Sequence, residues 1–199
     1  MNQAKEKAVI DADFFNKITN DGSDTSLFKA VMTEMKFLPV MHRYVYEYEL
    51  AGNSAAHTLV SEGYIIVEDE NAFWASNSAS YVRSFLTFYR QMNGYPYSGV
   101  ADVRSYHHRE ENLGEIRSSL LAFFMGYNYF MSDDRAAKYY ITNSFSGRHA
   151  ISVFNLYDTF EEIGKRLNRS IKWQDIKGML RQNLKTNDFK KIRGIWVEE

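Results

Sequence analysis

Short apolar runs recur along the chain and predict four buried β-strands, because a strand covered on both faces has little room for polar side chains. The runs occupy residues 8–10, 64–67, 127–131 and 150–154. Acidic residues follow each of the first three runs within two positions. The pattern therefore predicts strands whose carboxyl ends carry carboxylates.

Longer segments have apolar residues three or four positions apart and predict amphipathic helices. Pro39 suits the first turn of a helix, and Gly126 suits a helix end. The predicted helices cover residues 25–36, 39–51, 78–92, 112–126, 134–142, 157–167 and 173–185.

The strands alternate with helices, which predicts crossover connections and an α/β fold. We expect a mostly parallel central sheet of four or five strands, flanked by helices. The length of 199 residues suits a single domain over 1–199. Within it we expect an insertion or elaboration at 62–110 and a basic, helical C-terminal region at 165–199.

Composition narrows the class of protein. The chain has no cysteine, which excludes disulfides and thiolate zinc sites. We expect neither a signal peptide nor a membrane span, because no long apolar stretch is present, and we expect a cytoplasmic protein. No glycine-rich phosphate-binding motif is found, which argues against nucleotide-dependent kinases and oxidoreductases.

The net charge of −1 conceals a strongly basic C-terminal region. Only Asp175 and Asp188 oppose the basic residues there. Such a region can follow a phosphate backbone, although a solvated helix face is an equally good interpretation. The basic residues are Lys165, Arg166, Arg169, Lys172, Lys177, Arg181, Lys185, Lys190, Lys191 and Arg193.

Four acids are candidates for one shared site. Asp11 follows the first strand, Asp133 and Asp134 follow the third, and Glu115 lies in the first turn of the preceding helix. Ligands of open parallel sheets bind beyond the carboxyl ends of the strands, so these acids can meet there. Clustered carboxylates favour Mg²⁺ or Mn²⁺. Taken singly, each acid is equally explained as a helix cap or a partner of the helix dipole.

Three segments resemble the PIN-domain family. Residues 9–13 (VIDAD) resemble the opening strand and acid of the family, and 112–122 (NLGEIRSSLLA) its central glycine-glutamate helix. Residues 129–137 (YFMSDDRAA) resemble its later strand with paired acids, and 150–167 its final strand and helix. The resemblance spans about residues 7–185 and implies a three-layer α/β fold. Asp13 departs from the family, where Ser or Thr is frequent.

The resemblance implies a metal-dependent endoribonuclease. It would make Asp11, Glu115 and Asp133 catalytic metal ligands for Mg²⁺ or Mn²⁺, with Asp134 in support. A further ligand would come from Glu47 or Glu49, and the sequence does not decide between them. RNA, single-stranded or structured, is the implied substrate, and an antitoxin-type protein is an implied candidate partner. The aromatic content of 16% also suits a homodimer.

Further residues are assigned to RNA contact or set aside. Arg117 and Arg135 are candidate phosphate contacts, and Trp74 and Tyr95 are candidate stacking platforms for unpaired bases. The histidines lack the spacing of a zinc site, so we expect none of them to be catalytic. They are His42, His57, His107, His108 and His149.

Two other functions remain open. Asp11-Ala12-Asp13 is an Asp-x-Asp motif after a strand, and haloacid-dehalogenase-like phosphatases use the first Asp of such a pair as nucleophile. Phe14-Phe15 follows the motif here, where those phosphatases usually have Thr or Val. Alternatively, a PIN-like scaffold can serve as a catalytically silent RNA- or protein-binding module.

Overall fold

The computed structural model describes residues 5–98, 103–105, 111–145 and 150–197. In these ranges a single sheet of five strands is assembled, and every pairing in it is parallel. This arrangement confirms the predicted α/β class. The strands are β1 (Glu6–Ile10), β2 (Phe37–His42), β3 (Ile66–Glu68), β4 (Tyr129–Met131) and β5 (Ser152–Phe154).

The strand order across the sheet is β3-β2-β1-β4-β5. The chain therefore adds strands outward from β1 on one side and then crosses back to place β4 on the other side. The order reverses between β1 and β4, which is the switch point where open α/β sheets bind their ligands. Asp11 and Ser132 directly follow these two strands.

Helices cover both faces of the sheet and complete three layers. Within the described ranges they are α1 (Ala12–Ile18), α2 (Ser26–Met35), α3 (Ser54–Ser61), α4 (Trp74–Asn93), α5 (Leu113–Met125), α6 (Arg135–Ser144), α7 (Leu156–Gly164), α8 (Trp173–Asn183) and α9 (Thr186–Val197). A π-helical turn at Val45–Glu49 and a 3₁₀ turn at Glu70–Ala72 join them.

The two faces of the sheet support two separate apolar cores, because successive side chains of a strand point to opposite faces. Ala8 and Ile10 pack with residues of α1, α2, α3, α7, α8 and α9. Val9 and Phe130 pack with residues of α4, α5 and α6. β1 is buried on both sides and anchors both layers.

The helix predicted over 39–51 is wrong. Phe37–His42 is instead β2, buried on both faces between β1 and β3. Its apolar run is typical of an inner parallel strand. Pro39 is tolerated because pairing with β3 begins only at Val40, so one side of β2 has no paired strand at the proline. A π-helical turn, rather than an α-helix, follows the strand.

Other elements agree with the predicted positions within a few residues, and α9 falls within the C-terminal region that was predicted to be helical. Three elements, α1, α3 and β2, were not predicted. α1 carries the apolar pair Phe14 and Phe15, both buried. It was missed because a seven-residue helix offers only two turns of periodicity. The segment 62–98 supplies β3 and α4, so it contributes to the sheet and to one helical layer.

In the described part of the chain, no helix combines the length and the apolar character that crossing a membrane requires.

Candidate carboxylate site at the sheet switch point

Asp11 lies at the centre of the candidate site. Its backbone N–H donates to Met131 O across the β1–β4 pair (3.0 Å). It occupies the N-cap position of α1, yet its side chain makes no capping hydrogen bond. The simplest structural explanation of an acid after a strand therefore does not apply to Asp11.

The Asp11 carboxylate is buried and incompletely satisfied. Ser132 Oγ donates to Asp11 Oδ2 (3.1 Å), whereas Oδ1 has no hydrogen-bond partner among the described residues. Burial raises the pKa of Asp11 well above its ordinary value, and repulsion from Glu115 and Glu49 raises it further. A buried carboxylate oxygen without a protein donor is a position at which a water molecule or a cation can act as the partner. Ser132 was missed in the sequence, although it adjoins Asp133.

Glu49, at the end of the π-helical turn, is the second acid of the site. Burial among neighbouring atoms and repulsion from Glu115 raise its pKa to about 7, while a hydrogen bond from the Gly114 N–H opposes the rise. The residue nevertheless keeps part of its surface in solvent. A carboxylate in this position can be reached by a cation from solution. π-helical turns are rare and recur at functional sites, so this geometry fits a functional role.

Gly114 allows the close approach of Glu49 to the start of α5. A Cβ atom at this position would collide with the Glu49 carboxylate. The first turn of α5 thus presents backbone N–H groups toward the acids, where its dipole favours negative charge. Glycine is therefore required at position 114 for the Glu49 carboxylate to reach its observed position.

Glu115, in the first turn of α5, is the third acid. Burial raises its pKa, as does repulsion from Asp134 and Asp13, and its own backbone N–H lowers it. Glu115 is thereby linked electrostatically to Asp11 and Glu49 on one side and to Asp134 and Asp13 on the other. The structure brings these acids of distant segments into mutual electrostatic range.

Asp133 and Asp134 have different surroundings, despite being neighbours. Asp133 accepts from Lys17 Nζ (2.7 Å) and from the Leu156 N–H at the start of α7 (3.1 Å). Asp134 caps α6 by accepting from the Ala137 N–H (2.9 Å). Asp133 is thus held by a cation and a helix start, whereas the charge of its neighbour Asp134 raises the pKa of Glu115.

Lys17 is a component of the site that the sequence analysis missed. Its Nζ bonds Asp13 (2.6 Å) as well as Asp133, and it joins α1 to the end of β4. Hydrogen bonds to these two acids raise its pKa although burial opposes the rise. The four-residue spacing of Asp13 and Lys17 was the available signal. Asp13 and Asp133 therefore share one basic partner.

Glu47 is separated from the acids that meet at the sheet edge. It is exposed and pairs with Arg43 (3.2 Å) within the same helical turn. Of the two candidates that the sequence left open, Glu49 is the one that the structure brings to Asp11 and Glu115.

Arg117 is not placed to contact a phosphate. Its side chain is fully buried, donates to Glu70 Oε1 (2.6 Å) and to Val103 O (2.7 Å), and lies over the Phe85 ring. The expected substrate contact is corrected to a core ion pair, because no solvent reaches the guanidinium. Tyr81 also donates to Glu70 (2.7 Å), so this acid anchors a buried polar network.

The remaining predicted contacts differ in exposure. Arg135 is exposed at the start of α6 and stays a candidate. Trp74 is covered by the Arg104 guanidinium (4.3 Å from the ring centre), whereas Tyr95 is exposed.

The two histidines that the structure describes, His42 and His57, form hydrogen bonds with neighbouring protein groups. His42 is buried and its Nδ1 accepts from the Tyr44 N–H (3.0 Å), while His57 bonds Tyr46 and Ala51. His107, His108 and His149 lie outside the described residues.

The three linked acids form a concentration of negative charge that a hard cation would neutralise. We call Asp11, Glu49 and Glu115 the acid cluster. Across residues 5–98, 103–105, 111–145 and 150–197, no three His, Asp or Glu side chains are arranged so that they could hold one metal ion together. Binding would therefore require side-chain adjustment, for which the exposed Glu49 has room.

Fold and site together define a three-layer α/β protein with an acid cluster at the switch point of a parallel sheet. Comparison of the chain with protein-family models, with curated proteins and with solved structures finds no match.

Proposed function

We propose that this chain is a divalent-metal-dependent endoribonuclease that hydrolyses RNA phosphodiester bonds with its acid cluster. The observation that carries the proposal is the buried Asp11 carboxylate, whose Oδ1 accepts no hydrogen bond from the described residues and whose neighbours include two further acids. A cation is the simplest partner for such a group, because it would lower the repulsion that raises the pKa values of all three acids.

The residues present suit Mg²⁺ or Mn²⁺. Asp11, Glu49 and Glu115 offer hard carboxylate oxygens, the ligands that these ions prefer. When bound, such an ion lowers the pKa of a coordinated water and offsets charge on the phosphate oxygens. Ser132 orients Asp11, and Gly114 leaves space for Glu49.

Asp133 and Asp134 receive supporting roles in this proposal. Asp133 accepts hydrogen bonds from Lys17 and from the start of α7, so its proposed role is to position these groups and not to bind the metal. Asp134 caps α6 and stays near Glu115 as a candidate outer contact to bound water.

RNA is the proposed substrate because the order of the acid-bearing segments resembles the PIN-domain family. A homodimer and an antitoxin-type protein stay predicted partners, and the cytoplasm is the proposed location. Arg135, exposed beside Asp134, is a proposed phosphate contact.

The proposal is tested by cleavage of single-stranded RNA with Mg²⁺ or Mn²⁺, alone and after EDTA. We expect cleavage that EDTA abolishes, and a rise in melting temperature when Mn²⁺ is added. Asp11→Asn should remove both effects, and Glu49→Gln should weaken Mn²⁺ binding by about tenfold or more.

The matched control is Glu47→Gln, which makes the same chemical change two residues from Glu49 but on a side chain that pairs with Arg43 and lies outside the acid cluster. It should retain cleavage and Mn²⁺ binding. A folded sample with no metal-dependent melting shift and no EDTA-sensitive cleavage would overturn the proposal. Trapping of phosphate on Asp11 would favour the phosphatase instead, and RNA binding without cleavage would favour a silent module.

A further inference from the structure

A groove lies between α8 and α9, on the helical layer that also contains α1 and α7. Its volume is about 590 Å³. The walls of the groove combine basic and aromatic side chains, whereas the acid cluster consists of carboxylates. The lining residues are Trp173, Lys177, Gly178, Arg181, Thr186, Phe189, Lys190 and Arg193.

Four exposed cations surround this groove, two from each helix. Lys177 is hydrogen-bonded to Gln174, and no acid of the described chain forms an ion pair with Arg181, Lys190 or Arg193. All four side chains are exposed to solvent, and among the described residues no carboxylate forms an ion pair with any of them.

Among the described residues, the acids of α8 and α9 form no ion pair with the groove cations. Asp175 accepts from the Lys172 N–H at the start of α8 (2.9 Å). The charge of Asp188 contributes to the raised pKa of Tyr157 in α7. The groove thus has a local positive potential on a chain whose net charge is −1.

The aromatic wall is recessed between the helices. Trp173 and Phe189 are half-buried, with ring centres 5.6 Å apart, and Trp173 also packs on Trp196 (6.5 Å). Proteins that bind single-stranded nucleic acid combine aromatic rings, on which bases stack, with cations that contact the phosphates. A membrane surface would instead require apolar side chains that protrude.

We propose that the groove between α8 and α9 binds single-stranded RNA through its phosphates and at least one base. The inference rests on the proposed function, since it supplies a substrate-holding surface for a nuclease. The groove is built only from α8 and α9, and α8 packs against α1, the helix that directly follows Asp11. The bound RNA would lie on the helical layer that contains α1.

The test measures binding of a fluorescent uridine-rich RNA by anisotropy in EDTA, where the acid cluster holds no metal. Arg181→Gln/Lys190→Gln removes two groove charges. We expect binding at least tenfold weaker and a salt dependence whose slope falls by about 1.4, since each lost single-strand phosphate contact contributes about 0.7.

The matched control is Arg83→Gln/Arg90→Gln, which removes the same charge from exposed positions of α4 on the opposite layer. The affinity of this variant for the RNA should stay within about twofold of that of the unaltered protein. Equal weakening in both variants would overturn the proposal, because net charge rather than the groove would then explain binding.

Phe189→Leu tests base stacking. We expect about fivefold weaker binding with an unchanged salt slope, because a stacking contact is lost while the charges remain. Circular dichroism establishes that the variant is folded. If phosphatidylserine vesicles bind with the same dependence on Arg181 and Lys190 while RNA does not, the groove is a lipid surface and the proposal is wrong.

The two proposals fail separately. RNA binding in EDTA with no metal-dependent cleavage would retain the groove and reject the nuclease. EDTA-sensitive cleavage with RNA affinity indifferent to the groove variants would retain the nuclease and reject the groove.

Discussion

A carboxylate crowded by protein atoms and other carboxylates is destabilised in its charged form. Asp11 is fully buried in this way, whereas Glu49 is crowded at its carboxylate but keeps part of its surface in solvent. Burial is the largest cause of the raised pKa of each, followed by repulsion within the acid cluster. The metal-free protein therefore holds protons at these positions that the unfolded chain would release. Charge neutralisation, by a proton or by a cation, should stabilise the fold.

The first prediction concerns pH. The pKa of Glu49 is raised from 4.5 to about 7 in the folded protein, so its contribution to stability is complete below pH 4.5 and is lost as the pH rises toward 7. In EDTA, the free energy of unfolding should fall between pH 4.5 and 7. The free energy of unfolding of the Glu49→Gln variant should fall less over the same range. Urea unfolding at several pH values measures the difference.

Glu47→Gln is the control for this pH series, because Glu47 pairs with Arg43 and is separate from the acid cluster. Its pH profile should match that of the unaltered protein. A wild-type profile that rises between pH 4.5 and 7 relative to Glu49→Gln would contradict the electrostatic description.

At the scale of elements, the site depends on how the π-helical turn meets the start of α5. Glu49 approaches so closely that residue 114 has no room for a side chain, and the Gly114 N–H donates to the Glu49 carboxylate. The clash would involve the far end of a flexible side chain. Glu49 can therefore move away without disturbing the backbone of α5.

The second prediction is that Gly114→Ala displaces Glu49 and weakens Mn²⁺ binding by about tenfold or more. Stability should change little, since alanine favours a helix over glycine by about 1 kcal/mol and offsets part of the clash. Calorimetric Mn²⁺ titration and thermal unfolding measure the two effects.

Gly178→Ala is the matched control, because a Cβ at Gly178 in α8 would meet no atom within 4 Å. This variant should gain about 0.5–1 kcal/mol of stability and keep its metal affinity. Equal metal binding by both alanine variants would show that Glu49 is not held against α5.

At the scale of the whole molecule, two cores share one sheet, and a buried ion pair joins parts of the second core. Arg117 of α5 bonds Glu70, which follows β3, and also bonds the carbonyl of Val103. Tyr81 of α4 completes the group. These contacts connect the segment after β3 with α4 and α5.

The third prediction is that Glu70→Ala lowers the free energy of unfolding by about 3–5 kcal/mol, because it removes the carboxylate that pairs with the buried Arg117 guanidinium. The double change Glu70→Leu/Arg117→Met should recover part of the loss. Urea unfolding measures both. Glu62→Ala, which breaks the exposed Lys29–Glu62 pair, should cost at most about 1 kcal/mol. A similar small cost for Glu70→Ala would contradict the buried network.

The sequence alone determined the α/β class and most helices, because hydrophobic periodicity and alternation of elements are local properties. It also indicated that acids follow strands, and that Asp11 and Glu115 belong to one edge. It did not reveal β2, because a proline in an apolar run resembles a helix start when the neighbouring strand is unknown.

Only the tertiary structure decided which acids meet. Asp133 and Asp134 are adjacent in the chain, yet one is held by Lys17 and the other lies near Glu115. Arg117 resembled a surface cation but is buried, and Glu49 was separated from Glu47 by the path of a π-helical turn. Such outcomes depend on contacts between residues far apart in the chain, which local patterns do not encode.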